Sequence, residues 1–145
     1  MASFVYTPAK TKLLNGDLDF ATQDFRVLLV MSNTTADTDQ DAEFISSIGT
    51  LDEYDGANYA RQAIGGEAVN EDAANNRAEF DGNDIQFATL GAGTRQAVGM
   101  VLYLHVTNDA DSPVIAYIDS GGFPFSGNGG NVDVAWNAEG ILQAT

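Results

Sequence analysis

The sequence has no cysteine, a single histidine and only six basic residues among its 145. The absence of cysteine excludes disulfide bonds and thiolate chemistry, so neither can support the fold or a reaction. Against the six basic residues stand 21 acidic ones, which gives a formal net charge of −15. A surface with this charge repels nucleic-acid phosphates and anionic lipids, so we expect neither nucleic acid nor membrane as a partner.

Long apolar runs are also missing. No stretch approaches the roughly 20 apolar residues that a membrane-spanning helix needs. The first six residues, MASFVY, lack the basic region and apolar stretch of a secretion signal. At this length we expect residues 1–145 to form a single β-rich domain.

Two apolar runs around a polar segment are the most strongly β-like part of the chain. Ala97–Val106 and Val114–Ile118 are rich in β-branched and aromatic residues, and residues 107–113 are of the types that turns prefer. This pattern predicts an antiparallel hairpin with a long loop. The first run has almost no polar alternation, which indicates a strand covered on both faces, with a buried helix as the alternative.

Shorter strands are predicted along the rest of the chain, at residues 13–20, 25–31, 59–64, 67–70, 77–80, 85–87 and 132–136. Helix is expected at residues 7–14, with Thr7 as the cap and Pro8 at the first helical position, and at residues 42–49. No repeated βα unit is present. The pattern predicts a mainly β fold, an antiparallel β-sandwich or jelly-roll-like barrel with one or two short helices in the N-terminal third.

Motifs for catalysis and nucleotide binding are weak. The single histidine, His105, lies in the most apolar run, and we interpret it as structural. Gly91 and Gly93 precede a strand rather than a helix, and the segment lacks the lysine of a phosphate-binding loop. Among the many carboxylates, nothing singles out a catalytic pair. We therefore predict no catalytic residues, no cofactor and no enzymatic activity.

One acidic loop partly matches a calcium-binding motif. Asp37, Asp39 and Asp41 have the spacing of the first three ligand positions of such a loop. Ala42 stands where glycine is needed, and Ile48 stands where the bidentate glutamate should be. We therefore predict no metal site and keep the three aspartates as weak candidates.

Two aromatic clusters are better candidates for function. Phe123 and Phe125 lie in a glycine-rich loop at residues 120–130, and Phe4 and Tyr6 lie in the segment before the first helix. Aromatic side chains in such places often mark protein interfaces. We expect these four residues to contact neighbouring subunits; the alternative is that they close the open ends of the sandwich. Trp136, which alternates with two valines, is expected in the core.

The sequence resembles a group of small tailed-bacteriophage virion proteins. The residues that carry the resemblance are packing and turn residues over most of the chain: FVYTPAK at residues 4–10, LLNGDLD at 13–19, FRVLLV at 25–30, VIAYIDSGG at 114–122, VDVAW at 132–136 and NAEGIL at 137–142. It implies an accessory structural component of the virion, either a capsid decoration (cement) protein or a tail or fibre part. It implies no catalytic residues.

Our expectation is a non-enzymatic capsid decoration protein, assembled in the host cytoplasm, that binds the outside of the assembled shell and stabilises it. Its partners would be the major capsid protein or other virion subunits, and it would form a homo-oligomer, with a trimer favoured. The first alternative is a phage tail or fibre component. The second is a secreted carbohydrate-binding β-sandwich, with or without a calcium requirement.

Overall fold

The fold is mainly antiparallel β, as the sequence predicts, in a computed structural model that describes residues 3–145. Met1 and Ala2, which begin the N-terminal segment predicted to contact neighbouring subunits, lie outside the described residues. In chain order the elements are β1 Phe4–Val5, α1 Thr7–Asn15, β2 Phe25–Met31, a 3-10 turn at Ile45–Ser47, β3 Gln62–Ala63, β4 Ala68–Asp72, β5 Arg77–Asp81, β6 Ile85–Phe87, β7 Ala97–Leu104, β8 Val114–Ile118, β9 Val132–Val134 and β10 Leu142–Ala144.

A five-stranded sheet in the order β1-β8-β7-β2-β3 forms the centre of the fold. The predicted hairpin of β7 and β8 is confirmed, with Val101 opposite Tyr117 in the antiparallel register. Strands β2 and β7 pair along their whole lengths and are buried at almost every position. This burial on both faces is what the unbroken apolar runs predicted, because a strand with one wet face would alternate.

Two smaller antiparallel sheets complete the structure. One has the order β10-β5-β4, and the other pairs β6 with β9. Phe80 of β5 lies with its ring centroid 5.4 Å from that of Phe25 in β2 and 4.8 Å from that of Phe20. These aromatic contacts join the three-stranded sheet to the central one, an arrangement consistent with a β-sandwich.

Helix α1 begins at Thr7, the residue predicted to cap it, so Pro8 is its second residue and not its first. Tyr6 is the N-cap residue and makes no side-chain cap bond, so the prediction of Thr7 as the cap is wrong. Gly16, at φ 79°, ends the helix; its N–H binds the Leu13 carbonyl and the next N–H binds the Lys12 carbonyl. This is a Schellman-type ending, which favours glycine. Within residues 3–145, no helix has the length and apolarity to cross a bilayer.

Two predicted elements in the N-terminal third do not form. Residues 13–20 contain no strand, because Asp19 binds the N–H of Ala21 at 3.0 Å and the Thr22 hydroxyl at 2.7 Å and folds the chain into a turn. Residues 42–49 contain only a 3-10 turn instead of a helix. The N–H of Ile45 is taken at 3.1 Å by the carbonyl of Ser112, a partner distant in sequence.

Candidate interaction surface

The glycine-rich loop after β8 forms one wall of a groove of about 760 Å³. The rings of Phe123 and Phe125 lie in this wall, with centroids 5.5 Å apart, and Trp136 lines the groove as well. Its other apolar lining residues are Met100, Ile118, Val132, Val134, Ala135 and Ile141. We call this concavity the aromatic groove. Its size falls within the roughly 300–1,000 Å³ of typical ligand-binding clefts.

Backbone hydrogen bonds fix the far half of the loop. Phe125 and Ala97 exchange two of them, at 2.8 and 3.0 Å, and the Gly127 N–H binds the Tyr54 hydroxyl at 3.0 Å. A Cβ at position 127 would lie 2.3 Å from the carbonyl oxygen of Gly91, so only glycine fits there. Phe125 is therefore held in place by the core, and the ring of Phe123 packs against the ring of Phe125.

Trp136 lies at the rim of the groove, which corrects its expected place inside the core. Strand β9 ends at Val134, so the period-2 alternation no longer directs the indole inward. Its Nε1–H donates to the Asn83 carbonyl at 3.0 Å, and its backbone N–H donates to Asp84 at 2.9 Å. The ring packs on the edge of the core and remains partly exposed.

Asparagine amides supply the polar part of the groove. Asn128, Asn131 and Asn137 line it, and each Oδ1 accepts a backbone N–H at 2.9 or 3.0 Å. In the described part of the chain, the Nδ2 groups of these three residues make no hydrogen bonds. The groove thus combines partly exposed aromatic rings with amide donors that can meet a ligand's oxygen atoms.

A second, acidic concavity adjoins the groove and shares Phe123 with it. It measures about 370 Å³, and Asp37, Asp119, Thr34 and Tyr117 are among the residues that line it. Burial, and then the charges of Asp37 and Asp119, raise the pKa of the Tyr117 phenol to about 12. We call this concavity the acidic pocket.

No family model, curated protein or solved structure matches this chain. Its function therefore has to be inferred from its own residues.

The four aromatic residues predicted at an interface take different places. Phe123 and Phe125 lie together in the aromatic groove. Phe4, in edge strand β1, is partly buried and stacks on Tyr117 with centroids 5.7 Å apart, next to the acidic pocket. Tyr6 is fully buried, and its hydroxyl donates to a backbone carbonyl at 2.8 Å. Since Tyr6 belongs to the core of its own chain, we withdraw it from the predicted interface.

The three aspartates considered for calcium do not form a metal site. Asp39 Oδ2 accepts the Thr35 hydroxyl at 2.6 Å and the Gly49 N–H at 2.8 Å, so this carboxylate closes its own loop. Asp37 lines the acidic pocket, and Asp41 is exposed. Throughout residues 3–145, no three acidic or histidine side chains are grouped to hold a metal ion.

His105 follows the last residue of β7. Its backbone N–H donates to the Asp24 carbonyl at 2.8 Å, and its ring meets the edge of Tyr103 at a centroid distance of 6.5 Å. The backbone bond extends the pairing of β7 beyond its end. The interpretation of His105 as a structural residue stays a prediction.

The cations of the chain are largely neutralised within it. Every arginine, and Lys12, has a carboxylate partner: Lys12–Glu43, Arg26–Asp24, Arg61 with Glu53 and Asp109, Arg77 with Asp72, Glu79 and Glu139, and Arg95–Asp52. Many exposed carboxylates, Asp41 and Asp133 among them, form no ion pair within residues 3–145. The surface offered to a partner is therefore acidic, and a basic surface would complement it.

Proposed function

We propose that the protein is a non-enzymatic phage virion protein, a capsid decoration protein that binds the outside of the assembled shell through the aromatic groove. The observation that carries the proposal is the groove itself. Phe123, Phe125 and Trp136 are only partly buried there, on segments that the core holds in place. Interfaces are enriched in such aromatic side chains, and loops of glycine, serine and asparagine supply adaptable hydrogen bonds around them. The sequence resemblance supplies the virion context.

The partner in this proposal is the major capsid protein or another virion subunit. With a net charge of −15, the chain would meet a basic and partly apolar surface most favourably. A protein that binds only the assembled shell stabilises it by mass action, by about 2.7 kcal/mol per site when present at 100 times its dissociation constant. A homo-oligomer, with a trimer favoured, would add avidity, because several grooves would engage one shell.

The test uses shells that lack the protein, to which the purified protein is added back. We expect the parent to co-sediment with the shells and to raise their melting temperature. The double variant Phe123→Ser, Phe125→Ser should bind at least about tenfold more weakly, a loss of about 1.4 kcal/mol. Val106→Ser is the matched control, because Val106 is 53% exposed and does not line the groove.

The outcomes separate the structural alternatives. If the double variant is folded and binds as well as the parent does, the aromatic groove is not the interface. If the parent does not bind shells but co-purifies with phage tails, the protein is a tail or fibre component.

A carbohydrate-binding function is the second candidate, and the unpaired amide donors favour it. Sugar hydroxyls could accept from Asn128, Asn131 and Asn137 while a ring face packs on Trp136. Screening neutral oligosaccharides by calorimetry tests it, with Trp136→Ala as the variant that should lose binding. Repeating the titration with a chelator shows whether calcium takes part. An absence of sugar binding together with shell binding would favour the first proposal.

A further inference from the structure

The C-terminal half of α1 exposes apolar side chains beside a cleft. Leu13 is 46% exposed and Leu14 is 88% exposed, and Val69 of β4, across the cleft, is 53% exposed. The cleft measures about 180 Å³ and lies between α1 and the three-stranded sheet, with Leu13, Val69, Phe80 and Leu142 in its lining. We call it the α1 cleft. Exposed apolar groups that converge on one concavity are typical of a contact surface.

Leu14 is 88% exposed, so it buries little apolar surface against the rest of residues 3–145. The helix ends through the backbone bonds at Gly16, and the adjacent Leu13 already supplies the helix's contribution to the cleft lining. Leu14 directly follows Leu13, which lines the cleft, and it is almost fully exposed. The Leu14 side chain of a second copy is therefore available to fill the α1 cleft.

Two copies of this acidic chain repel each other unless opposite charges meet at their contact. Helix α1 contains Lys10 and Lys12 and no acidic residue. Lys12 is paired with Glu43 at 2.9 Å, whereas Lys10 forms no ion pair within residues 3–145. Asp17, just past the helix, likewise forms none there. Lys10 is therefore the cation of α1 that a carboxylate of another copy can pair with.

We propose that the α1 cleft is a self-association surface, in which Leu14 of a second copy enters the cleft and Asp17 of that copy pairs with Lys10. Lys10 and Asp17 lie on opposite sides of Leu13 and Leu14 in the sequence, so one contact can bring all four residues together.

This inference does not depend on the proposed virion function, so the purified protein alone tests it. Light scattering behind size-exclusion chromatography should show the parent as a dimer or trimer at concentrations up to about 100 μM. Leu14→Ser should raise the dissociation constant at least about tenfold. Val106→Ser removes another exposed apolar side chain, outside the cleft, and should leave the oligomer unchanged.

A charge exchange tests the pairing of Lys10 with Asp17. Lys10→Asp and Asp17→Lys should each weaken the oligomer, and the double variant should restore it, since the two charges then match again. A parent that stays monomeric would overturn the proposal. So would a folded Leu14→Ser variant that associates as the parent does, or a double exchange no better than either single change.

Discussion

The hydroxyl of Tyr54 accepts the backbone N–H of Gly127 at 3.0 Å, a contact between residues 73 positions apart in the sequence. The same oxygen accepts the Gly93 N–H at 2.9 Å and donates to the Gly91 carbonyl at 2.8 Å. One buried side chain therefore joins the loop before β7 to the glycine-rich loop. The glycine-rich loop that forms the wall of the aromatic groove depends on these hydrogen bonds.

Removing the hydroxyl should loosen that wall. In Tyr54→Phe the buried N–H of Gly127 loses its partner, and we expect a loss of about 1–3 kcal/mol in the free energy of unfolding. Urea denaturation measures the loss, and hydrogen exchange at Gly127 should become faster. Tyr117→Phe is the control, because within residues 3–145 the Tyr117 hydroxyl makes a single long hydrogen bond, 3.4 Å, to the Val98 carbonyl. Equal losses in the two variants would contradict the assigned role of Tyr54.

The contact between the central and three-stranded sheets should depend on Phe80. Phe80 is 4% exposed and packs on Phe20 and Phe25. Truncation to alanine leaves a cavity between the sheets, and we expect a cost of about 3–5 kcal/mol. Thermal and urea unfolding measure it. The exposed Val106→Ala should change stability by no more than about 0.5 kcal/mol; a similarly small effect at Phe80 would show that the sheets do not rely on this contact.

Strands β2, β7 and β8 of the central sheet could be predicted from the sequence because their signal is local, whereas edge strand β1 was not predicted. In β2 and β7 an unbroken apolar run reports burial on both faces, and the strand positions follow within a residue or two. The end of α1 is similarly marked by Gly16. By contrast, residues 42–49 read as a helix from their own composition. The hydrogen bond from the Ile45 N–H to the Ser112 carbonyl overrides that preference. The local sequence cannot predict this bond, because Ser112 is distant in the chain.

The candidate surface was only partly predictable for the same reason. Glycines around Phe123 and Phe125 indicated a loop, and the structure places both rings in one groove. Tyr6 lies in an equally aromatic segment, but β1 adds to the sheet beside β8 and carries Tyr6 into the core. Trp136 shows the opposite difference: it was predicted in the core but is partly exposed, because β9 ends two residues before it. In both cases the ends of strands, which are set by long-range pairing, decided the outcome.

Asp39 should act as a loop-closing residue rather than as a calcium ligand. Its Oδ2 atom receives the Thr35 hydroxyl and the Gly49 N–H, and Asp39→Ala leaves both donors without this acceptor. We expect a loss of about 1–3 kcal/mol in the free energy of unfolding. Asp41→Ala, a change of an exposed carboxylate in the same loop, should have little effect. Calcium should leave the melting temperature of the parent unchanged; a rise with calcium that a chelator reverses would restore the metal hypothesis.

The last prediction concerns acid stability and the ion pairs of Arg61. Its guanidinium binds Asp109 at 2.6 Å and Glu53 at 2.7 Å, and so ties the β7–β8 loop to the segment before β3. The hydrogen bond from Arg61 lowers the pKa of Asp109 below its ordinary 3.8. The folded state then binds fewer protons than the unfolded state, so this pair stabilises the fold above that pH. The contribution disappears as the pH falls through the lowered pKa.

We expect Asp109→Asn to be less stable than the parent at pH 7, by no more than about 1 kcal/mol because the pair is partly screened by solvent. The difference between the two proteins should shrink below about pH 4 as Asp109 of the parent becomes protonated. Urea unfolding from pH 7 to pH 2.5 measures it. Asp41→Asn is the control, because it removes the same charge from an exposed carboxylate without an ion pair in the described chain. A gap for Asp109→Asn that stays constant with pH would mean that the pair does not shift the titration of Asp109.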